Sequence, residues 1–453
     1  MFTSRDPCTG SIIQTFRSLS LSQVKRMVDR VAAAQQRWAA TAVEQRGECL
    51  SRLAAGLRSH RQALAATMTS EVGKRSVEAL AEVEKCAVVC DFYATQGRSF
   101  LEPEVVLSDA SESRVEYPPA GVVLAVMPWN FPLWQIVRCA VPALMAGNGV
   151  LVKPAPSAPA TALMFEALLV EAGCPPDVLR VLLADIRHLE AVIAHPAVAV
   201  VSLTGSTAAG QAVAGLAARH LKRSLLELGG SDPFVVLADA DLDAAADAAV
   251  LGRFHNCGQS CISPKRLIVV PQLAEAFIDG LQQRIERLRV GDPRDPATDL
   301  GPMASPAARA HLHRQVLASR SAGAQCRLGG ELLEGEGAFY PPTLLDQVAP
   351  GMPAFDEELF GPVACVVRAR DDGDALALAA ASRYGLGASL WTGDVERGRK
   401  LASYMPVGMV AVNALVRSDP RLPFGGIKAS GYGRELSYHG LREFTVPRTV
   451  WVA

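Results

Sequence analysis

The sequence predicts an α/β protein with two sheet-containing units, a helical block in front of them and a β-hairpin arm. Three observations predict this. Beyond Pro118, short β-branched runs alternate with Ala-rich stretches at helical spacing, the pattern of parallel strands joined by crossover helices. The alternation comes in two series that meet near Gly229 and Gly230. The 453 residues amount to about three times the ~150 residues of an average domain.

From Leu21 to Gly97 apolar residues recur at helical spacing (Val24, Met27, Val28, Val31, Trp38, then Leu50, Leu53, Leu57, then Val83, Cys86, Val89, Tyr93), which predicts three or four amphipathic helices. Val105–Leu107 and Arg114–Tyr117, joined by the polar stretch SDASES, predict a protruding hairpin. The first series of strands is Gly121–Val126, Gly149–Val152, Val178–Leu183 and Val198–Thr204. The second is Phe234–Leu237, Leu267–Val270, Val363–Val367 and Met409–Val412. Thr449–Val452 is one more apolar strand, and the hairpin near Val105 is a candidate edge for it in a subunit interface.

Composition excludes several classes of function. Lys and Arg total 45 against 46 Asp and Glu, and no basic block offers a phosphate backbone a grip, so no nucleic-acid partner is expected. The apolar segments are short: Gly121–Met127 stops at Pro128, far below the roughly 18 residues of a membrane span, so no membrane partner is expected either. MFTSRDPCTG lacks the apolar core of a secretion signal, which favours the cytoplasm. The 10 cysteines lack the regular spacing of a disulfide framework, and no Cys/His set has zinc spacing, so no metal site is expected.

Chemistry shows at three places. In FHNCGQSCISPKR, Cys261 stands among small polar residues just before Pro264, a setting that suits an accessible thiol nucleophile better than a core cysteine. In LELGG, Glu227 ends an apolar strand, where an α/β sheet presents its chemistry; taken alone it is equally a solvated strand-end carboxylate. In PWNFP, Asn130 is held between prolines and aromatics directly after a strand, and an immobilised amide can donate to an oxyanion. The turn Thr204–Ser206 between a buried strand and an Ala-rich helix reads either as a tight connection or as a pyrophosphate cradle, since GxGxxG spacing is absent.

Together PWNFP, VLVKPA, LTGS, LELGG, GQSC, EELFGP and PFGGIKASGYGRE, in this order, resemble the aldehyde dehydrogenase superfamily over almost the entire chain. The resemblance implies a variant Rossmann cofactor domain (1–98 and 119–229), a catalytic α/β domain (230–429) and an oligomerisation arm (99–118 and 440–453) that makes a homodimer or homotetramer. Carried over position by position, it implies Cys261 as nucleophile, Glu227 as general base and Asn130 as oxyanion donor, the last aided by the Cys261 backbone N–H. It implies that Trp129 and Lys153 meet the adenosine end of NAD or NADP, that Gly205, Ser206 and Leu228 lie along the dinucleotide, and that Glu358 and Phe360 meet the nicotinamide ribose and ring. NAD-preferring relatives carry a glutamate three residues after the strand lysine. Here Pro156 neither grips ribose hydroxyls nor repels a 2′-phosphate, and Ser157 or Lys153 can donate to one, so NADP is expected to be tolerated or preferred.

Arg138 occupies a position that is aromatic in relatives acting on plain aliphatic aldehydes and arginine in succinate semialdehyde dehydrogenases. There it implies a guanidinium clamp on the substrate's far carboxylate; the alternative is an arginine paired to an internal glutamate. The text VRSDPRLPFGGIKASGYGRELSYHGLREF resembles the short bacterial branch of those enzymes and implies Ser418, Arg417 or Arg421 near the substrate mouth, a solvent-exposed loop arginine being the simpler reading for either arginine. Two departures stand against this branch. His255 replaces an arginine six residues before Cys261, and Ser263 replaces a second cysteine, so the redox switch of some relatives is expected to be missing, with Cys257 a poor substitute. The expected function is NAD(P)-dependent oxidation of succinate semialdehyde. The alternatives are another aldehyde substrate or a non-catalytic protein on the same fold.

Overall fold

The computed structural model describes residues 1–453 and opens with an antiparallel ribbon, β1 (Phe2–Arg5) and β2 (Ile12–Phe16). Sequence periodicity misses this ribbon because β2 is exposed along nearly its whole length and shows no in–out alternation. Four helices follow: α1 (Leu21–Ala39), α2 (Val43–Ser59), α3 (Arg61–Val72) and α4 (Ser76–Leu101). Ser20 starts α1 with a capping box, its Oγ accepting from Gln23 N at 3.3 Å and its N–H donating to Gln23 Oε1 at 2.8 Å. Val24, Val28, Val31 and Trp38 form the buried face of α1, and the Trp38 indole N–H donates to Leu144 O at 2.8 Å.

The hairpin is β3 (Glu104–Val105) with β4 (Glu112–Glu116). Five strands then alternate with helices: β5 (Val122–Val126), α5 (Trp134–Met145), β6 (Gly149–Lys153), α6 (Pro159–Glu171), β7 (Leu179–Val181), α7 (Leu189–Ile193), β8 (Val198–Thr204), α8 (Thr207–Arg219) and β9 (Arg223–Glu227). They form one parallel sheet in the order β9-β8-β5-β6-β7. β5 reads as an unbroken apolar run because both its faces are covered. Val123 and Ala125 enter the core under α5, while Val122 and Leu124 pack with Val24, Val28 and Val31 of α1.

The second unit contains β10 (Asp232–Val236), α9 (Leu242–Phe254), β11 (Pro264–Val269), α10 (Ala274–Ile285), α11 (Pro306–Ser321), β12 (Gln325–Leu328), β13 (Thr343–Asp346), β14 (Val363–Arg368), β15 (Gly387–Trp391) and β16 (Met409–Val412). Its seven-stranded sheet runs β12-β13-β14-β11-β10-β15-β16, parallel except for β12 against β13. The chain then returns to the first sheet. β17 (Gly431–Tyr432) adds antiparallel to β9, pairing Gly431 with Glu227. Finally β18 (Arg448–Val452) pairs with β4, so the terminal strand finds its edge in the arm of its own chain. No helix is long and apolar enough to cross a membrane.

A buried ion pair locks the helical block to the first sheet. Lys74, just before α4, pairs with Glu82 within it, both side chains 1% exposed. Glu82 Oε1 also accepts from the amides of Leu133 and Trp134 at 3.0 and 2.9 Å, satisfying free N–H groups at the start of α5. Lys74→Met should therefore leave a buried, uncompensated carboxylate and lower stability by about 3–5 kcal/mol, read as a shift of the urea unfolding midpoint.

Candidate active site

Cys261 is presented by a strained loop that several buried groups hold. After α9 the backbone takes three successive left-handed residues, Asn256 (φ 52°), Cys257 (φ 53°) and Gly258 (φ 69°). A Cβ on Gly258 would stand 2.3 Å from Gly361 O, so the last must be glycine. Asn256 compensates its own strain: its N–H donates to Glu78 Oε1 at 2.9 Å, and its Nδ2 to Asn130 O at 2.8 Å and Gln259 O at 3.2 Å. Beyond Cys261, Lys265 Nζ donates to Ser260 O at 2.9 Å and Cys261 O at 2.8 Å. Arg253, fully buried, donates to Val363 O at 2.6 Å, Leu359 O at 2.8 Å and Ser263 Oγ at 2.5 Å. Ser263 is thereby engaged as an acceptor for Arg253.

Cys261 opens onto a cavity of about 650 Å³ whose lining also includes Asn130 and Glu227. Glu227 ends β9 in register with Thr204 at the end of β8, so both side chains emerge at the carboxyl edge of the sheet. Neither Glu227 oxygen has a hydrogen-bond partner, although the residue is 3% exposed. Its backbone is clamped by the returning chain: Leu228 N donates to Ser430 O at 3.0 Å, and Ser430 Oγ to Gly229 O at 2.7 Å. Asn130 Nδ2 donates to Gln259 O at 3.1 Å, which orients its amide and leaves the second N–H free.

Trp129, Gly205, Ser206, Leu228, Glu358 and Phe360 line the same cavity. The rings of Trp129 and Phe360 meet edge to face, 5.7 Å apart at 82°. Ser206 caps α8, accepting from Ala209 N at 3.2 Å. Lys153 and Ser157 lie outside the lining; Lys153 Nζ donates to the carbonyl of Pro154 at 3.3 Å and lies 5.9 Å from the centre of the Phe2 ring. Gln135, His311, Gln315, Arg383 and Tyr384 line the cavity as well, and the sequence carries no signal for them. His311 and Gln315 share one face of α11, and only packing brings that face here.

Arg138 lies against an internal carboxylate: Nε pairs with the buried Glu435, Nη2 donates to Thr204 Oγ1 at 3.3 Å, and the group lies 4.6 Å from the Phe424 ring centre. All of α5 is buried, so an arginine in it must find an internal anion. Ser418 also lies outside the cavity lining and accepts from Lys85. His255 stacks on Phe131, 6.1 Å between ring centres. Cys257 packs into the second unit's core with Met303 and Leu359, whereas Cys261 packs against the first unit's core.

Burial pushes the Cys261 thiol up to about 11, opposed by Arg138 and Lys265 and reinforced by Glu358 and Glu227. Burial, then the neighbouring Glu435 carboxylate, hold Glu227 well above the usual carboxylate range, while Arg138 and Arg434 oppose that rise. The resting thiol therefore stays protonated until a base removes its proton. Alkylation of Cys261 by iodoacetamide, followed on its own peptide, should rise about tenfold per pH unit from pH 7 to 10, because the thiolate is the reacting form. Arg138→Met should slow it further. A plateau below pH 8 would contradict this electrostatic account.

Comparison with known proteins agrees with this geometry. The sequence model described as "Aldehyde dehydrogenase family" matches residues 1–450. A probable succinate-semialdehyde dehydrogenase [NADP(+)] of Synechocystis is 45% identical over 448 residues, covering 99% of both chains. A succinate-semialdehyde dehydrogenase [NADP(+)] of Deinococcus radiodurans is 44% identical, covering 99% of this chain and 94% of that one. The structure of succinic semialdehyde dehydrogenase from Streptococcus pyogenes in complex with NADP+ superposes with a TM-score of 0.98 at 34% identity, covering 100% of both chains. With the two-sheet fold, the thiol loop and the carboxylate at the end of β9 in place, the chain belongs to the aldehyde dehydrogenase family.

Proposed function

We propose that the protein oxidises succinate semialdehyde to succinate with NADP, through covalent intermediates on Cys261. The reading rests on one observation above all: Cys261, Asn130 and an unpartnered Glu227 line a single cavity with the residues that suit a dinucleotide. The named activity of relatives at 44–45% identity supports the substrate and the cofactor.

The residues fit a dinucleotide. A Cβ on Gly229 would stand 2.2 Å from Glu358 Oε2, so glycine leaves the room in which that carboxylate reaches the cleft. The capped N-terminus of α8 directs N–H groups toward a pyrophosphate, with Gly205 and Ser206 beside it. Lys153 has no carboxylate partner, and it or Ser157 can donate to a 2′-phosphate that Pro156 does not repel. When bound, the nicotinamide supplies the hydride acceptor.

Once the thiol has given its proton to solvent, Cys261 Sγ attacks the aldehyde carbon as thiolate, and the free N–H of Asn130 with the Cys261 backbone N–H stabilises the alkoxide of the thiohemiacetal. Loss of hydride from that carbon leaves a thioester on Cys261. Glu227 then takes a proton from water, the hydroxide adds to the thioester carbonyl, and collapse releases the acid and returns the thiolate. The exposed apolar residues of the arm, Val105, Leu107 and Trp451, suit contacts in a homodimer or homotetramer. Ten free cysteines suit a reducing compartment, and we place the enzyme in the cytoplasm.

A panel of succinate semialdehyde, glutarate semialdehyde and hexanal, each with NADP and NAD, tests the reading. The highest kcat/KM is expected for succinate semialdehyde with NADP, and hexanal matching it would overturn the assignment. Glu227→Gln should release about one equivalent of NADPH per site and then stall as the thioester, with the steady state slowed by roughly 10²- to 10⁴-fold. Loss of the burst too would show that Glu227 also activates Cys261.

A further inference from the structure

Three segments of the active site meet at one buried ammonium. Lys265, on β11 and 1% exposed, donates to Ser260 O at 2.9 Å and Cys261 O at 2.8 Å, and pairs with Glu358 Oε1 at 3.3 Å. The same Oε1 accepts from the N–H of Gly230, just beyond Glu227, at 3.2 Å. Gly230 in turn packs on the carbonyl that Lys265 holds, since a Cβ there would stand 2.8 Å from Cys261 O. Glu358 lines the cavity and Lys265 does not, so the ammonium reaches the cavity through that carboxylate.

Glu358 is paired differently from the carboxylates that serve the fold alone. Glu82 spends one oxygen on Lys74 and the other on two backbone amides. Glu71 accepts from Ala160 N at 2.9 Å with Oε1, and from Thr161 N and Oγ1 at 3.0 and 2.8 Å with Oε2. Both oxygens of each are satisfied, as burial of a charge demands. In Glu358 only Oε1 is bound; Oε2 accepts from no group of the protein, and the side chain is 18% exposed. Gln315 Nε2 donates to the Glu358 carbonyl at 3.3 Å and steadies its backbone. A carboxylate with one oxygen anchored to a buried cation and the other free is an acceptor prepared for a ligand hydroxyl.

We infer that Lys265 is a positioning residue for the cofactor: it anchors Glu358 Oε1, leaves Oε2 for the ribose hydroxyls of the dinucleotide, and ties that acceptor to the backbone of the nucleophile. The inference rests on the reading of the cavity as a dinucleotide cleft with Glu358 at the nicotinamide ribose. Hydride transfer depends on the approach of the nicotinamide to the carbon bonded to Cys261, and the link from Glu358 through Lys265 to Cys261 O sets one against the other through a single buried cation. Lys265 itself gives up no proton and touches no reacting atom.

The test measures NADP affinity by calorimetry on the Cys261→Ala protein, alone and with Glu358→Ala, Lys265→Met, Lys265→Gln, or Glu358→Ala and Lys265→Met together. Glu358→Ala and Lys265→Met should each weaken binding about tenfold, and the combination no more than about twofold beyond the worse single variant, because both changes break the same link. Lys265→Gln keeps donors for the loop carbonyls but has no charge for Glu358; it should repeat the loss, and it decides the matter if methionine unsettles the fold. With Cys261 intact, Lys265→Gln should raise KM for NADP about tenfold and leave KM for the aldehyde within about threefold. Losses that multiply in the combined variant would overturn the inference, as would Lys265→Met and Lys265→Gln proteins that bind NADP as tightly as their parent while Glu358→Ala does not. Unchanged binding in Glu358→Ala would instead overturn the placing of Glu358 at the ribose on which the inference rests.

Discussion

The buried pair of Arg138 and Glu435 is the contact that ties the elements around Glu227 and Cys261 together. It joins α5 to the returning chain beyond β17, and through Thr204 it reaches the carboxyl edge of the first sheet. Its two charges set the neighbours' protonation in opposite senses. Glu435 raises Glu227 and so helps it hold a proton, while Arg138 lowers Glu227 and Cys261 together. Glu435 is itself raised by burial and restrained by Arg138. Glu227 and Cys261 thus sit in one shared field set by this buried pair.

The same economy of buried cations shapes the thiol loop. Three left-handed residues before Cys261 are costly, and they persist because Arg253 and Lys265 each collect several backbone oxygens that would otherwise be orphaned. Arg266 plays the corresponding part for the second sheet, donating to Ser231 O at 3.0 Å and to Leu378 O and Ala379 O at 2.7 and 3.0 Å.

Much of the architecture is written locally. The parallel strands of both units appear in the sequence as short β-branched runs, and Val198–Thr204 and Met409–Val412 coincide with strands of the structure. The exposed strand β2 and the two-residue β17 do not appear, because the first buries no face that would impose a period and the second is too short to show one. The chemistry divides in the same way. Cys261, Glu227 and Asn130 are recognisable because each is an unusual residue type for its immediate neighbours, at the end of a strand or in a turn.

By itself the sequence determined the α/β class, the order of the strands along the chain and three residues whose types are unusual for their neighbours, since residue type and period report local burial. Tertiary structure alone decided what each charge faces. Arg138 meets Glu435, and Lys85 meets Ser418 across 333 positions of sequence. A guanidinium on an apolar helix looks the same in sequence whether it faces a substrate or an internal carboxylate. The distinction depends on which distant segment packs against it, and that is a property of the assembled core.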